Sequence, residues 1–288
     1  MPDIILFPSD FFNSKAVDDA LKCEYGAAQT AGFQTVIFNY EKWFYEGRLM
    51  VSEKPLNETR TLYRGWMMKP DMYEKFYNEL LRVNLRLVTP PQEYQLLHLF
   101  PNVYPMLEED TAKMLIFPQG MEVSVDEIRQ NFPRFMVKDY VKSVKGSQFP
   151  RYFDSTVAQN ELDKWLEVFY KYRADLFTGG ICVKEYLDLK RYDSKSNEYR
   201  VFYANRTILS GSRNSGQGEG APMPPQTLLE KYKNLPAVFY TIDYAELEDG
   251  SWKALETGDG QVSGLSENQD CEAFFMGIKN CFEQMSHI

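Results

Sequence analysis

AVFYTIDYAEL (residues 237–247) and SWKALETGDGQVSGL (251–265) decide how this chain reads. They form a strand pair across the turn signal Glu248-Asp249-Gly250. An antiparallel hairpin there sets Asp243 and Glu256 side by side on one face. Two neighbouring carboxylates repel unless a cation lies between them. Oxygen-only ligation favours Mg²⁺, which also holds substrate phosphates. The other reading is a pair of solvent-facing acids on a hairpin. GGICVKEYLDLK (179–190) and NEYRVFYANRTILSG (197–211) are strand-like in the same way, rich in Val, Ile, Phe and Tyr. They carry Lys184, Glu185, Asp188, Glu198 and Arg200. Charges repeatedly placed on strands that bury one face predict a cleft above a sheet.

Working outward, FMVKDYVKSVKG (135–146) is a strand carrying Lys138, followed by a loop with Lys142, Ser143, Lys145, Gly146 and Ser147. A lysine on a strand before a flexible Gly/Ser/Lys loop suits a phosphate clamp; a solvated basic hairpin fits equally, and the loop lacks the GxxxxGK[ST] pattern. Residues 156–176 have helical spacing, with Leu162, Trp165, Leu166, Phe169 and Tyr170 on one face. SGSRNSGQGEGAPMPP (210–225) is low in complexity and reads as a mobile loop or lid. PQTLLEKYKNL (225–235) is a short helix, and CEAFFMGIKNCFEQM (271–285) an amphipathic closing helix.

At the other end, DIILF (3–7), a helix stopped at Gly32 and FQTVIFN (33–39) make a βαβ unit, expected parallel and right-handed. Residues 41–60 are polar, with a small hairpin expected around Glu46-Gly47. In TLYRGWMMKP (61–70), Arg64 is either a surface arginine stacked on aromatics or an anion-binding arginine at a cleft edge, with Gly65 letting a ligand approach. A helix over 70–84 and a strand LRLVT (85–89) follow. His98, beside Leu and Phe, reads as a packed side chain more readily than a catalyst.

The 288 residues are enough for one large core or two to three lobes. A net charge of −9 argues against a general nucleic-acid surface, while leaving room for a local basic pocket. No apolar run approaches the roughly 20 residues that span a bilayer, and MPDIILFPSD lacks the features of a signal peptide. Cys23, Cys182, Cys271 and Cys281 form no CxxC pair, so free thiols in the cytoplasm are expected rather than zinc.

The order of these parts is a Lys strand with a Gly/Ser loop, a helix, a VKEYL strand, an EYR strand and a paired D…E hairpin. It resembles the ATP-grasp superfamily over about Phe135 to Leu265. YRGWM, PPQEYQLLH and ETGDGQVSGL further resemble the clade of ATP-grasp proteins named for two arginines and a lysine. The resemblance implies an α/β (α+β) chain, with an N-terminal βαβ (pre-ATP-grasp-like) lobe over 1–118 and a nucleotide- and metal-binding region over 119–288. It implies ATP and Mg²⁺ as ligands. Lys138, Lys142 and Ser143 to Ser147 would contact phosphates. Lys184 would lie near phosphate or adenine, Glu185, Tyr186 and Leu187 would form the adenine hinge, and Asp188 would take a ribose hydroxyl. Arg200 would stabilise the transferred phosphate, and Asp243 and Glu256 would hold Mg²⁺. The family's asparagine two residues after that glutamate is replaced here by Gly258, so Asp259 is a candidate substitute. Arg64 and Arg213 are candidates for gripping a carboxylate substrate. The implied chemistry is ligation of a small-molecule or peptide carboxylate to an amine through an acyl phosphate. The alternatives are a small-molecule kinase and a non-catalytic ATP-binding module. Nothing in the sequence sets the oligomeric state.

Overall fold

A computed structural model describes residues 3–144 and 148–285. β1 (Ile4–Pro8), α1 (Lys22–Thr30) and β2 (Gln34–Phe38) form the expected βαβ unit, and β1 and β2 pair in parallel. Gly32, at φ 84°, supplies the left-handed residue that ends the helix segment before β2. Around the expected hairpin the chain first forms a short helix, α2 (Tyr40–Phe44), capped by the Asn39 side chain and anchored by buried Trp43; it then turns back at Gly47, and Val51 bridges Phe38 antiparallel. β3 (Thr59–Tyr63), α3 (Pro70–Leu81) and β4 (Leu85–Leu87) complete a parallel sheet of order β2-β1-β3-β4. α4 (Pro91–His98) and α5 (Phe100–Leu107) then carry the chain across to the second half.

There β5 (Met114–Pro118), α6 (Val125–Asn131), β6 (Arg134–Asp139), β7 (Phe153–Asp154), α7 (Gln159–Arg173) and β8 (Gly180–Glu185) build an antiparallel sheet of order β5-β8-β6-β7. A small ribbon, β9 (Arg191–Tyr192) with β10 (Lys195–Ser196), follows. Then come β11 (Glu198–Ala204), β12 (Thr207–Arg213), α8 (Gln226–Lys231), β13 (Phe239–Glu246), β14 (Trp252–Asp259) and α9 (Cys271–Met285). β11 to β14 form a second antiparallel sheet of order β12-β11-β13-β14. The run 197–211, strand-like throughout in sequence, is folded back at Asn205 and Arg206, which both take positive φ.

Strand alternation sorts the side chains. On β6 and β8, Phe135, Val137, Ile181 and Val183 pack toward Leu162, Leu166 and Phe169 of α7. Lys138 and Lys184 belong to the opposite faces of the same strands, because they differ from those residues by odd steps. On the second sheet, Val201, Tyr203, Ile242 and Tyr244 pack with Leu97, Val103 and Leu229. The reverse face closes on α1 and α9 through Phe202, Phe239 and Phe274. Residues 210–225 are not one mobile stretch: Ser210–Arg213 end β12, and Gln217 and Ala221 are buried. The Gln217 amide donates to Glu198 O, and Asn197 Nδ2 donates to Pro222 O at 3.0 Å. These side-chain bonds replace the packing that a Gly/Pro-rich composition cannot supply.

Candidate active site

Three strands bring three charges into one row. Arg200 on β11 is the Cα partner of Asp243 on β13, which is the partner of Glu256 on β14. Such partners have side chains on the same face, close enough to interact. Arg200 Nε and Nη2 donate to the two oxygens of Asp243 at 2.8 and 2.7 Å, a bidentate pair. A register shift follows Asp243, so that Tyr244 pairs with Ala254 and Leu255 is left out of the ladder. The freed Leu255 carbonyl accepts a hydrogen bond from Lys184 Nζ at 2.7 Å.

The Glu256 end of the row meets the lysines of the other sheet. Lys138 Nζ lies 3.2 Å from Glu256 Oε1. Lys138 and Lys184 are both nearly inaccessible, and the Phe100 ring lies 5.2 and 4.0 Å from their ammonium groups. Phe100 is held by its N–H to Tyr140 O at 2.8 Å. Burial, and then the neighbouring Lys138 charge, push the Lys184 pKa down to about 7, with Glu256 opposing. Burial beside Lys142 and Lys138 likewise lowers His98 to about 4, so this histidine is neutral at ordinary pH. With Lys184 protonated, three cations face two carboxylates, a balance that favours an added polyanion.

The segment expected to form the adenine hinge, Glu185 to Asp188, follows the core of β8. Glu185 N–H donates to Lys113 O and Tyr186 N–H to Arg134 O, while Asp188 O accepts from Glu248 N–H. Leu187 makes no backbone hydrogen bond to another described residue. Arg134 stacks 3.9 Å from the Tyr186 ring centroid. Lys142 and Ser143 stand at the end of β6; Lys145, Gly146 and Ser147 of the expected phosphate loop lie outside the described residues.

Three candidates sit elsewhere, Arg213 at the end of β12 opposite Tyr199 being one of them. Asp259 does not join the row. It is three residues beyond Glu256 on the same strand, so alternation turns it away, toward Tyr73 and Gln261. It is fully buried; its Oδ1 accepts from Gln261 N–H and Nε2, and the Thr89 hydroxyl is a further polar neighbour. Burial raises its pKa to about 7. At Gly258 an added Cβ would meet Ser263 Oγ at 2.7 Å and Thr241 Oγ1 at 3.2 Å, so hydroxyls fill the space a ligating side chain needs. Arg64 is 1% exposed, which excludes the surface reading. Its Nε and Nη2 bind Glu24 at 2.6 and 2.9 Å, and its Nη1 donates to Ser263 O at 2.9 Å and to Gly260 O. Arg200 Nη1 donates to Gly264 O at 3.0 Å. The two arginines thus grip the 260–264 loop from both sides.

Sequence reading missed Phe100 and the loop carbonyls. Phe100 is 84 residues from Lys184, and a phenylalanine before a proline gives no sign of a cation partner. Main-chain carbonyls carry no residue-type signal at all.

With this geometry in view, a family model matches residues 127–278: the ATP-grasp domain of the clade named for two arginines and a lysine, family 3. The chain belongs to this ATP-grasp family. Solved structures share the fold across almost the whole chain. D-cycloserine synthetase is 12% identical with a TM-score of 0.63, covering 96% of this chain and 99% of its own. D-alanyl-alanine synthetase A from Vibrio cholerae is 10% identical with a TM-score of 0.60, covering 98% and 99%. A macrocyclase from Microcystis aeruginosa, bound with its precursor peptide, is 12% identical with a TM-score of 0.60, covering 98% and 100%. No curated protein sequence matches the chain. For this ATP-grasp chain, as for its structural neighbours, the fold extends through the parallel N-terminal sheet.

Proposed function

We propose that this ATP-grasp protein is an ATP-dependent carboxylate–amine ligase. The observation that carries the reading is the cross-strand row Arg200, Asp243 and Glu256 set against buried Lys138 and Lys184. The neighbours named as synthetases and a macrocyclase agree with it.

Lys138 and Lys184 meet the phosphates of ATP, and the hinge at Glu185 to Asp188 meets its nucleoside. A substrate carboxylate oxygen attacks the γ-phosphorus; the bond to the β-phosphate oxygen breaks and ADP leaves. Arg200 stabilises charge on the transferred group. An amine then attacks the acyl carbon, the carbon–oxygen bond to phosphate breaks, and the amine loses a proton. No protein nucleophile is needed; positioning and charge supply the rate. Asp243 and Glu256 would offer Mg²⁺ two adjacent carboxylates, with no third metal-ligating side chain grouped with them among the described residues; when bound, the ion would neutralise phosphate charge. Arg64 is a positioning residue in this scheme, acting through the 260–264 loop. Among the described residues no helix is long and apolar enough to cross a membrane. All four cysteines are free thiols, which fits a reducing compartment such as the cytoplasm.

The test is ADP release with Mg·ATP and pools of acids and amines. Turnover should need both substrates and yield an amide, and Arg200→Ala or Glu256→Gln should lower kcat by about a hundredfold or more. A stable phosphorylated product made without any amine would replace the ligase with a kinase.

A further inference from the structure

β12 is the outer strand of its sheet, with β11 on one side and no strand on the other among the described residues. Alternate residues of such an edge turn their N–H and C=O groups outward, ready to pair with another chain. The ladder with β11 shifts register at Leu209 and runs regularly from Ser210 to Arg213, giving four residues of straight edge. A groove of about 570 Å³ runs along this edge. One wall is the segment with Ala221 and Met223, the other the start of α9 with Ala273 and Phe274.

Both walls are fixed. Asn197 and Tyr199 hold the carbonyls of Pro222 and Ala221. Gln269 spans the floor, its Nε2 donating to Ser210 Oγ at 2.9 Å and its Oε1 accepting from Ser212 Oγ at 3.0 Å. The groove is therefore preformed, with an apolar surface on either side of a polar backbone edge.

Arg213 stands at its end without a counter-ion among the described residues. Arg60, Arg64, Arg173 and Arg200 all pair with carboxylates. Arg213 has no such partner there; its Nη2 donates weakly to Glu219 O at 3.3 Å, and its Nε is buried with no acceptor. Two acids also line the groove. Asp270 caps α9, its Oδ1 accepting from Glu272 and Ala273 N–H, and Glu219 lies on the exposed rim. Arg213 as a residue is only half-buried, so an anion from outside can pair with the open part of its guanidinium.

We propose that the free edge of β12 docks an extended peptide as a fifth strand of this sheet, with an acidic side chain of the peptide directly across from Arg213. Backbone pairing supplies affinity and the alternating side-chain contacts supply selection. The neighbouring peptide side chain then points to the other face, against Ala273 and Phe274. Docking of this kind is independent of the ligase reading. That the docked peptide is also the acid substrate rests on that reading, because Arg200 is the strand partner of Ser212.

The experiment uses the full chain without nucleotide. Its probes are blocked hexapeptides of alternating valine and threonine carrying a glutamate or a lysine at one position, and the glutamate peptide N-methylated at alternate amides. Amide hydrogen exchange and chemical shifts are read at residues 209–213. The glutamate peptide should slow exchange there and bind about tenfold or more tighter than the lysine peptide; Arg213→Glu should reverse that preference, and N-methylation on the pairing edge should abolish binding. Unchanged exchange with every peptide, or a preference that Arg213→Glu leaves intact, overturns the proposal. The N-methyl series needs no variant, so it decides the matter even if Arg213→Glu does not fold. ATP binding on the same samples separates the two readings. Peptide docking without ATP binding removes the ligase; ATP binding without docking removes the groove.

Discussion

Lys184 shows how one buried cation gives the site a pH signature. With its pKa near 7, it is mostly neutral at pH 8 and mostly charged at pH 6. Phosphates beside it favour the charged form, so ATP binding at about pH 8 should take up a proton, and at about pH 6 almost none. Titration calorimetry in buffers of different ionisation heat reads this directly, and Lys184→Met should remove the effect. In the free protein the same depressed pKa makes stability rise between about pH 7 and 10.5, where the unfolded chain holds the extra proton. Asp259 has the opposite sign. Its raised pKa means that the native state binds more protons between about pH 3.8 and 7, so stability falls as pH rises through that window. Asp259→Asn should flatten the fall and raise stability at pH 8 by about a few kcal/mol at most, measured by denaturant unfolding at both ends of the window. The sequence shows Asp259 as one more acid near the Mg²⁺ candidates. What it does not show is burial, and a three-residue step along a strand is enough to send a side chain into the core.

At the scale of elements, the 260–264 loop between Arg64 and Arg200 links the N-terminal sheet to the charged row. Arg64→Ala leaves Glu24 buried and unpaired, and breaking such a pair costs about 3–5 kcal/mol. The double variant Glu24→Leu/Arg64→Met should recover most of that stability in thermal unfolding. Its kcat should stay low, because the loop carbonyls have lost their clamp. Recovery of activity along with stability would assign Arg64 a packing role alone. The hairpin of β13 and β14 was legible because Gly250 marks its turn between two strand-like runs; the register shift after Asp243 was not. The β11–β12 hairpin was not, because Asn205-Arg206 takes left-handed φ without a glycine to announce it. The 210–225 stretch misled in the other direction. Its order comes from Asn197, Gln217 and Gln269, polar side chains that composition assigns to loops.

For the whole molecule, the charged row and the lysines come from two different sheets, and side-chain links between those sheets include Lys138 to Glu256 and Lys184 to Leu255 O. A ligand held by both sides adds its binding free energy to the folded state, about 2.7 kcal/mol at a hundredfold excess over Kd. A rise in the unfolding midpoint with Mg·ATP is therefore expected, and Lys138→Ala should diminish it. The order of elements was readable from sequence because each strand carries its own charge pattern. The facing of the two sheets was not, since it depends on how α4 and α5 pack between them, with Phe100 against Lys138 and Lys184, and residue type alone does not give that packing.

The most direct measurement is the equilibrium affinity for ATP with and without Mg²⁺, in the wild type and in Glu256→Gln. The row of Arg200, Asp243 and Glu256 predicts that Mg²⁺ tightens ATP binding in the wild type and that this gain disappears in the variant, with the fold intact by circular dichroism. Absence of ATP binding to the wild type, or a Mg²⁺ gain that Glu256→Gln leaves unchanged, would contradict the assignment of the row as the Mg·ATP site.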